Sequence, residues 1–302
     1  MFDLDDLLRK TSRTFALAIP LLPEPTRAEV GIAYLLFRVA DTLEDSTTWP
    51  RAERVVALDA FTKAIAARDR AACVKLRDAW LANPPVEHEG YMELLGKTPE
   101  LFDAMMALGP GAVDVLIRHT TRTAEGMASV VTRSDEQGRL RLSSVKELQD
   151  YCYIVAGIVG ELLTDLFLLD APQLARERGV LEENTKAFGE GLQLVNILKD
   201  SSADAIDGRT YLPADVSRAE ILALARTDLD GAGRYVAALE RGQAPRGFIA
   251  FTALSLMLAR ASLDRLETAG AGAKVSREDV FEIFNRLEGT LSRGETVKPL
   301  LS

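Results

Sequence analysis

Apolar residues recur at three- and four-residue spacing along most of this chain, the period of helices that turn one face to a core. Between Thr26 and Asp45 the apolar set is Ala28, Ile32, Leu35, Leu36 and Val39. The same period runs through Arg51 to Leu81, Pro99 to Met106, Ala112 to Val131, Val145 to Leu169 and Leu181 to Lys199. Further helices are expected over Arg218 to Ala225, Gly231 to Leu239, Gly247 to Thr268 and Ser276 to Arg286. Proline and glycine clusters punctuate the pattern at IPLLPEP before Thr26, at Asn83-Pro84-Pro85 and at Gly109-Pro110-Gly111. The polar run Thr132 to Ser144 is expected as a loop. No strict alternation extends beyond a few residues, and there is no internal repeat or dividing linker. The pattern predicts one all-α domain over residues 1–302.

Two of these helices carry polar strips. In QLVNILKDSSADAIDGRTYLP (Gln193 to Pro213), Gln193, Asn196, Asp200 and Asp204 are spaced by three, four and four. They lie within roughly 80° of one another on a helix, flanked by Leu192, Leu194, Val195, Ile197 and Leu198. In GIAYLLFRVADTLED (Gly31 to Asp45), Tyr34, Arg38, Asp41 and Asp45 share a face within about 60°, with Glu44 roughly 80° to one side. A polar strip on so apolar a helix is costly unless something binds it. Alone, Arg38 with Asp41 or Asp45 also reads as intrahelical ion pairs on a solvated face. Two strips, each with carboxylates four apart, point instead to a shared ligand. Carboxylate and amide oxygens suit Mg²⁺, which binds one or two carboxylates together with substrate phosphates. Arginine and tyrosine beside them would donate to the remaining oxygens. Two facing clusters around a diphosphate would make it a leaving group and leave a carbocation in an apolar cavity.

Composition narrows the alternatives. Lys plus Arg is 36 against 45 Asp plus Glu, a net charge of −9, which disfavours nucleic acid as a partner. Cys73 and Cys152 are expected as small core residues. His88 and His119, the two histidines, are expected at the surface, and a His-rich metal site is excluded. GYMELLGKT from Gly90 has five residues between its glycines and no preceding strand, so it is not a phosphate loop. No third glycine completes a dinucleotide fingerprint. The N-terminus is acidic, and the apolar run Phe248 to Ala259 is too short to span a bilayer. A soluble cytoplasmic protein without a transmembrane segment is expected, with membrane contact limited to peripheral release of an apolar product.

The paired D-T-L-E-D (Asp41 to Asp45) and D-S-S-A-D (Asp200 to Asp204) resemble the acidic motifs of the squalene/phytoene synthase family. The likeness extends to SRTF (Ser12 to Phe15), Tyr34, Arg38, YCYIVAGIVG (Tyr151 to Gly160), Q-x-x-N-I-L-K-D and GRTYLP, in family order over residues 12 to 213. D-T-L-E-D is closer to squalene synthases than to the usual phytoene synthase form. The resemblance implies an isoprenoid-synthase-type helical bundle with a central apolar cavity, and Mg²⁺-dependent head-to-head condensation of two prenyl diphosphates. It implies Asp41, Glu44, Asp45, Asn196, Asp200 and Asp204 as metal ligands or their close support. Ser12, Arg13, Tyr34, Arg38, Gln193, Asn196 and Arg209 would bind diphosphate or shape the pocket. Tyr151 matches a tyrosine assigned to proton handling, although a core tyrosine fits the same apolar helix. Ala156, Gly157 and Gly160 either leave room for a prenyl chain or allow close helix packing.

The favoured route takes two farnesyl diphosphates through a presqualene-type cyclopropyl diphosphate. Hydride from NADPH, which the family binds without a Rossmann motif, would give squalene, and proton loss would give dehydrosqualene or phytoene. Phytoene synthesis from geranylgeranyl diphosphate and a catalytically idle prenyl-lipid-binding homologue are the alternatives. Four departures from the family pattern stand out. Ser201-Ser202-Ala203 replaces a more acidic spacer, Lys199 stands where arginine is common, and Tyr153 replaces a histidine. The chain, ending at GETVKPLLS, is expected to lack the C-terminal anchor of eukaryotic squalene synthases.

Overall fold

The computed structural model describes residues 3–12, 14–135, 139–206 and 208–301. Helix dominates the described residues, as the apolar period predicts. They fall into two compact units, Met1–Ile19 with Glu24–Leu140, and Pro20–Pro23 with Arg141–Ser302.

The first unit is organised around helix α3 (Thr26–Glu44), which follows α1 (Leu4–Thr11) and the short α2 (Phe15–Ala18). Leu35, Leu36, Val39, Ala40 and Leu43 of α3 are fully buried. Each such leucine contributes roughly 2 kcal/mol by leaving water. They pack among α4 (Arg51–Ala66), α7 (Thr98–Met106) and α8 (Pro110–Arg133). Asp3 caps α1, accepting the Asp6 N–H at 2.9 Å, and Leu4 lies against Gly31 of α3, where a Cβ would come within 2.9 Å of Leu4 Cδ2. The stretch Arg51 to Leu81 contains a break that its periodicity hides. Arg68 adopts a left-handed backbone (φ 54°), and Asp69 caps α5 (Arg70–Ala82) by accepting the Ala72 N–H at 3.0 Å. No glycine or proline marks that turn, so the apolar pattern runs through it. GYMELLGKT falls largely in a further helix, α6 (Glu89–Gly96), capped by the exposed His88.

His119 corrects the expectation of a surface histidine. It is buried, with Nε2 3.4 Å from Arg118 and Nδ1 3.2 Å from Arg122. The cause is its register on α8, where Ala112, Val113, Leu116, Thr120, Thr123, Ala124 and Met127 form the inward stripe and His119 falls on it. Both cysteines are buried free thiols. Burial pushes Cys73 up to about 11 and Cys152 well above the ordinary thiol value, so both stay protonated at neutral pH.

The second unit is built on a 29-residue helix, α11 (Arg178–Ile206), which continues through both aspartates of its acidic strip. Against it lie α9 (Val145–Cys152), a π-helical turn (Tyr153–Gly157) and α10 (Ile158–Asp170), which together form one rod. The crossing is close because it is made of backbone. A Cβ on Gly160 would sit 2.2 Å from the Thr185 carbonyl oxygen, and one on Gly189 2.0 Å from that of Ala156. Of the two uses open to the small residues on the rod, close helix packing is the one found at Gly160. The helix α12 (Arg218–Arg241), started by a Ser217/Glu220 capping box, is continuous where two helices were expected. Gly231 is there a mid-helix contact rather than a helix start: a Cβ on it would fall 2.6 Å from Ala187 Cβ on α11.

Helices α13 (Arg246–Ala269) and α14 (Arg277–Ser292) complete the unit, with Phe167 of α10 stacked on Phe248 at 4.1 Å. By length and composition alone, the stretches Val145–Asp170 and Arg246–Ala269 are long and apolar enough to cross a bilayer. Half and 67% of their most apolar windows are buried inside the protein. Two short strands, β1 (Leu140–Arg141) and β2 (Arg209–Thr210), form a ladder extended by the Leu142 N–H, which donates to the Thr210 carbonyl at 3.0 Å.

Candidate active site

On α3 the predicted strip is a connected chain of polar contacts. The Tyr34 hydroxyl donates to the Thr11 carbonyl at 3.0 Å, tying the strip to the end of α1. Arg38 donates through one terminal nitrogen to that hydroxyl at 3.0 Å and through the other to the Asp41 carboxylate. Its Nε is buried and makes no hydrogen bond, which leaves a donor of the fork for a further oxygen. The guanidinium lies 5.5 Å from the Tyr34 ring centre and 5.7 Å from that of Tyr91. Burial alone would favour its neutral form, but Asp41, Tyr34 and Tyr91 raise its hold on the proton. Asp45 closes the helix as its C-cap, its N–H donating to the Asp41 carbonyl at 2.8 Å. Asp41 and Asp45 are half-buried, whereas Glu44 is buried and its carbonyl accepts from Arg54 at 2.8 Å. Ser12 Oγ accepts the N–H of Phe15, the first residue of α2, at 3.0 Å. Arg13 lies outside the described residues.

The strip on α11 is likewise formed. Gln193, Asp200 and Asp204 are half-buried and Asn196 is exposed. Lys199 bends back along its own helix, donating to Asn196 Oδ1 at 3.0 Å and approaching Asp200 Oδ2 at 3.4 Å. Its single ammonium therefore spans two predicted ligand side chains. Arg209, beyond the helix end, stands 3.9 Å from Asp204. Tyr151, at the end of α9, is buried and its hydroxyl donates to that of Tyr211 at 3.1 Å.

Three further groups adjoin one strip or the other, Tyr91 that on α3 and Glu190 with Asp228 that on α11. Tyr91 belongs to α6, 53 positions beyond Arg38 in the chain, and nothing local in GYMELLGKT marks it. Burial raises its phenol while Arg38 pulls it down, and Asp41, Tyr34 and Asp45 are its other charged or phenolic neighbours. Glu190 precedes Gln193 by one turn, about 60° from it, and so extends the α11 strip. Burial, with Asp228 of α12 adding to it and Lys186 opposing, pushes Glu190 up to about 7; burial pushes Asp228 up to about 6.

The donor set fits Mg²⁺. Among the described residues no three His, Cys, Asp or Glu side chains are close enough to form a protein-only metal cage. Pairs of carboxylates four apart are the arrangement that leaves most of the coordination sphere to water and phosphate, the usual preference of Mg²⁺. Each unit carries one such pair, Asp41 and Asp45 on α3 and Asp200 and Asp204 on α11, with Glu44 buried beside the first and Asn196 on the same strip as the second.

A profile of the squalene/phytoene synthase family matches residues 8–221. The squalene synthase of Schizosaccharomyces pombe is 30% identical over 213 residues, 70% of this chain and 43% of that protein. That of Eremothecium gossypii is 31% identical over 216 residues, 70% of this chain and 45% of its own length. The chain thus aligns with less than half of either relative. Among solved structures, TcSQS in complex with the ligand E5700 superposes with a TM-score of 0.76 at 23% identity, covering 99% of this chain and 94% of that one. A dehydrosqualene synthase in complex with a ligand gives 0.55 at 19% identity, with coverage of 96% and 95%. The fold is shared with both. With 8–221 containing each acidic strip, Tyr151 and GRTYLP, the chain belongs to the squalene/phytoene synthase family.

Proposed function

We propose that this protein is a prenyltransferase that joins two prenyl diphosphates head to head, with farnesyl diphosphate as its preferred substrate. The observation that carries the reading is Arg38. It is held by Tyr34 and Asp41, flanked by two phenol rings, and keeps a buried, unbonded Nε beside the carboxylates of α3. A diphosphate oxygen supplies the acceptor such a fork lacks. When bound, Mg²⁺ supplies Lewis-acid neutralisation of charge on the departing diphosphate.

The chain's own residues do the rest. Arg38 and Arg209 bind diphosphate oxygens, Tyr34 and Tyr91 orient Arg38, and Lys199 keeps Asn196 and Asp200 in place. Tyr151 takes up the proton whose loss closes the cyclopropane ring. The fate of the cyclopropyl intermediate, reduced to squalene with NADPH or deprotonated to dehydrosqualene, is decided by product analysis with and without that hydride donor.

The side chains of Asp41 and Asp200 are 32% and 46% exposed, so asparagine at either position leaves the fold intact. D41N and D200N are each expected to lose about 10²-fold or more in kcat, the scale for removing one preorganised electrostatic group. Circular dichroism should be unchanged. Wild-type rates in either variant at saturating substrate would remove that residue from the metal assignment.

A further inference from the structure

The residue after β2 is Tyr211, and its side chain is placed by three separate features. The ladder hydrogen bond from Leu142 to Thr210 fixes the backbone immediately before it. Its ring stacks on Tyr151, with centres 4.7 Å apart and planes inclined by 23°. Its hydroxyl accepts the hydrogen bond donated by the Tyr151 hydroxyl at 3.1 Å. Both residues are buried, at 5% and 7% exposure. Phenylalanine would satisfy the stack alone; burying a second hydroxyl is costly without a polar use for it.

The direction of that hydrogen bond matters to the chemistry. A neutral phenol can accept a proton from carbon only if its own proton leaves at the same time. The Tyr151 proton already points at an oxygen that can take it. We propose that Tyr211 acts through Tyr151 as the outlet of a two-tyrosine proton relay, an inference that rests on the prenyl diphosphate reading above. The C–H bond of the cationic adduct breaks, and its electron pair closes the cyclopropane C–C bond. The proton goes to Tyr151 Oη, the former Tyr151 proton crosses to Tyr211 Oη, and the Tyr211 proton passes to an oxygen of the released diphosphate. Both phenols end neutral, one proton has moved to an anion, and no oxidant or reductant is consumed. Arg209, two residues upstream, is the cation on the same segment that would hold that anion.

The test is Y211F, which keeps the stacked ring and removes only the hydroxyl. With farnesyl diphosphate and Mg²⁺, kcat should fall about 10²-fold, the scale of general acid–base assistance. KM and the melting temperature should stay at wild-type values. Deuterium on the carbon that loses its proton should then slow turnover more than it does in wild type, because proton loss becomes limiting. Y211H, which restores a ring able to carry a proton, should recover about tenfold of the loss. Wild-type kcat and isotope effect in Y211F would overturn the relay and leave the function standing. No diphosphate release by the wild-type chain from farnesyl or geranylgeranyl diphosphate would overturn both.

Discussion

Arg38 satisfies three geometric demands at once: one terminal nitrogen on Asp41, the other on Tyr34, and a guanidinium within about 6 Å of two phenol ring centres, at 5.5 and 5.7 Å. Lysine carries the charge but neither the fork nor the plane. R38K is therefore expected to raise KM for the prenyl diphosphate about tenfold or more and to lower kcat, with an unchanged circular dichroism spectrum; steady-state kinetics would show it. A second residue-scale prediction concerns Glu190. Its carboxyl is raised from an ordinary 4.5 to about 7 by burial and Asp228, against Lys186, with Asp150 a weaker acidic neighbour. A raised acid favours the protonated folded state. Its contribution is thus fully present below pH 4.5 and is lost as the pH rises through about 7. E190Q, permanently neutral, should melt higher than wild type at pH 8 and no higher at pH 4. Equal melting temperatures at both pH values would show that Glu190 is charged in the fold at no cost. The α3 and α11 strips were legible because spacing alone sets a helical face. Glu190 lay on the same face and was still missed, since the cue to its state is Asp228, 38 positions away on another helix.

At the scale of elements, α11 is the hub of its unit, and its glycines separate contact from conformation. G189A would place a Cβ 2.0 Å from the Ala156 carbonyl oxygen, against backbone that cannot rotate away. The expected cost is at least about 2 kcal/mol. Gly179, near the start of the same helix, has nothing within 4 Å of a built Cβ. G179A should instead stabilise by about 0.5 kcal/mol through helix propensity. Denaturant unfolding of the two variants measures both. The same glycines explain where the chain was readable. Helix existence followed from apolar periodicity, but the stretch between Ala225 and Gly231 looked like a break and proves to be helix, with Gly231 a seat for Ala187, while Arg68 looked helical and proves to be a turn. Both outcomes are decided by residues distant in sequence or by a cap, neither of which a local period reports.

For the whole molecule, a net charge of −9 opposes binding of an anionic diphosphate. Cation dependence is the expected remedy. Chelation with EDTA should abolish diphosphate release and added Mg²⁺ should restore it, and activity that survives chelation would argue against a metal. Family-level motifs spread over residues 12 to 213 made the fold class legible, and the profile match over 8–221 agrees with them. Tyr91 and Tyr211 were not legible, because each reaches its partner only through tertiary packing. The most direct test of the central claim is mass analysis of products from the purified chain given farnesyl or geranylgeranyl diphosphate and Mg²⁺, with and without NADPH. The account predicts a hydrocarbon or cyclopropyl diphosphate built from two farnesyl chains, with diphosphate released in step. Absence of any dimeric prenyl product under all these conditions would contradict it.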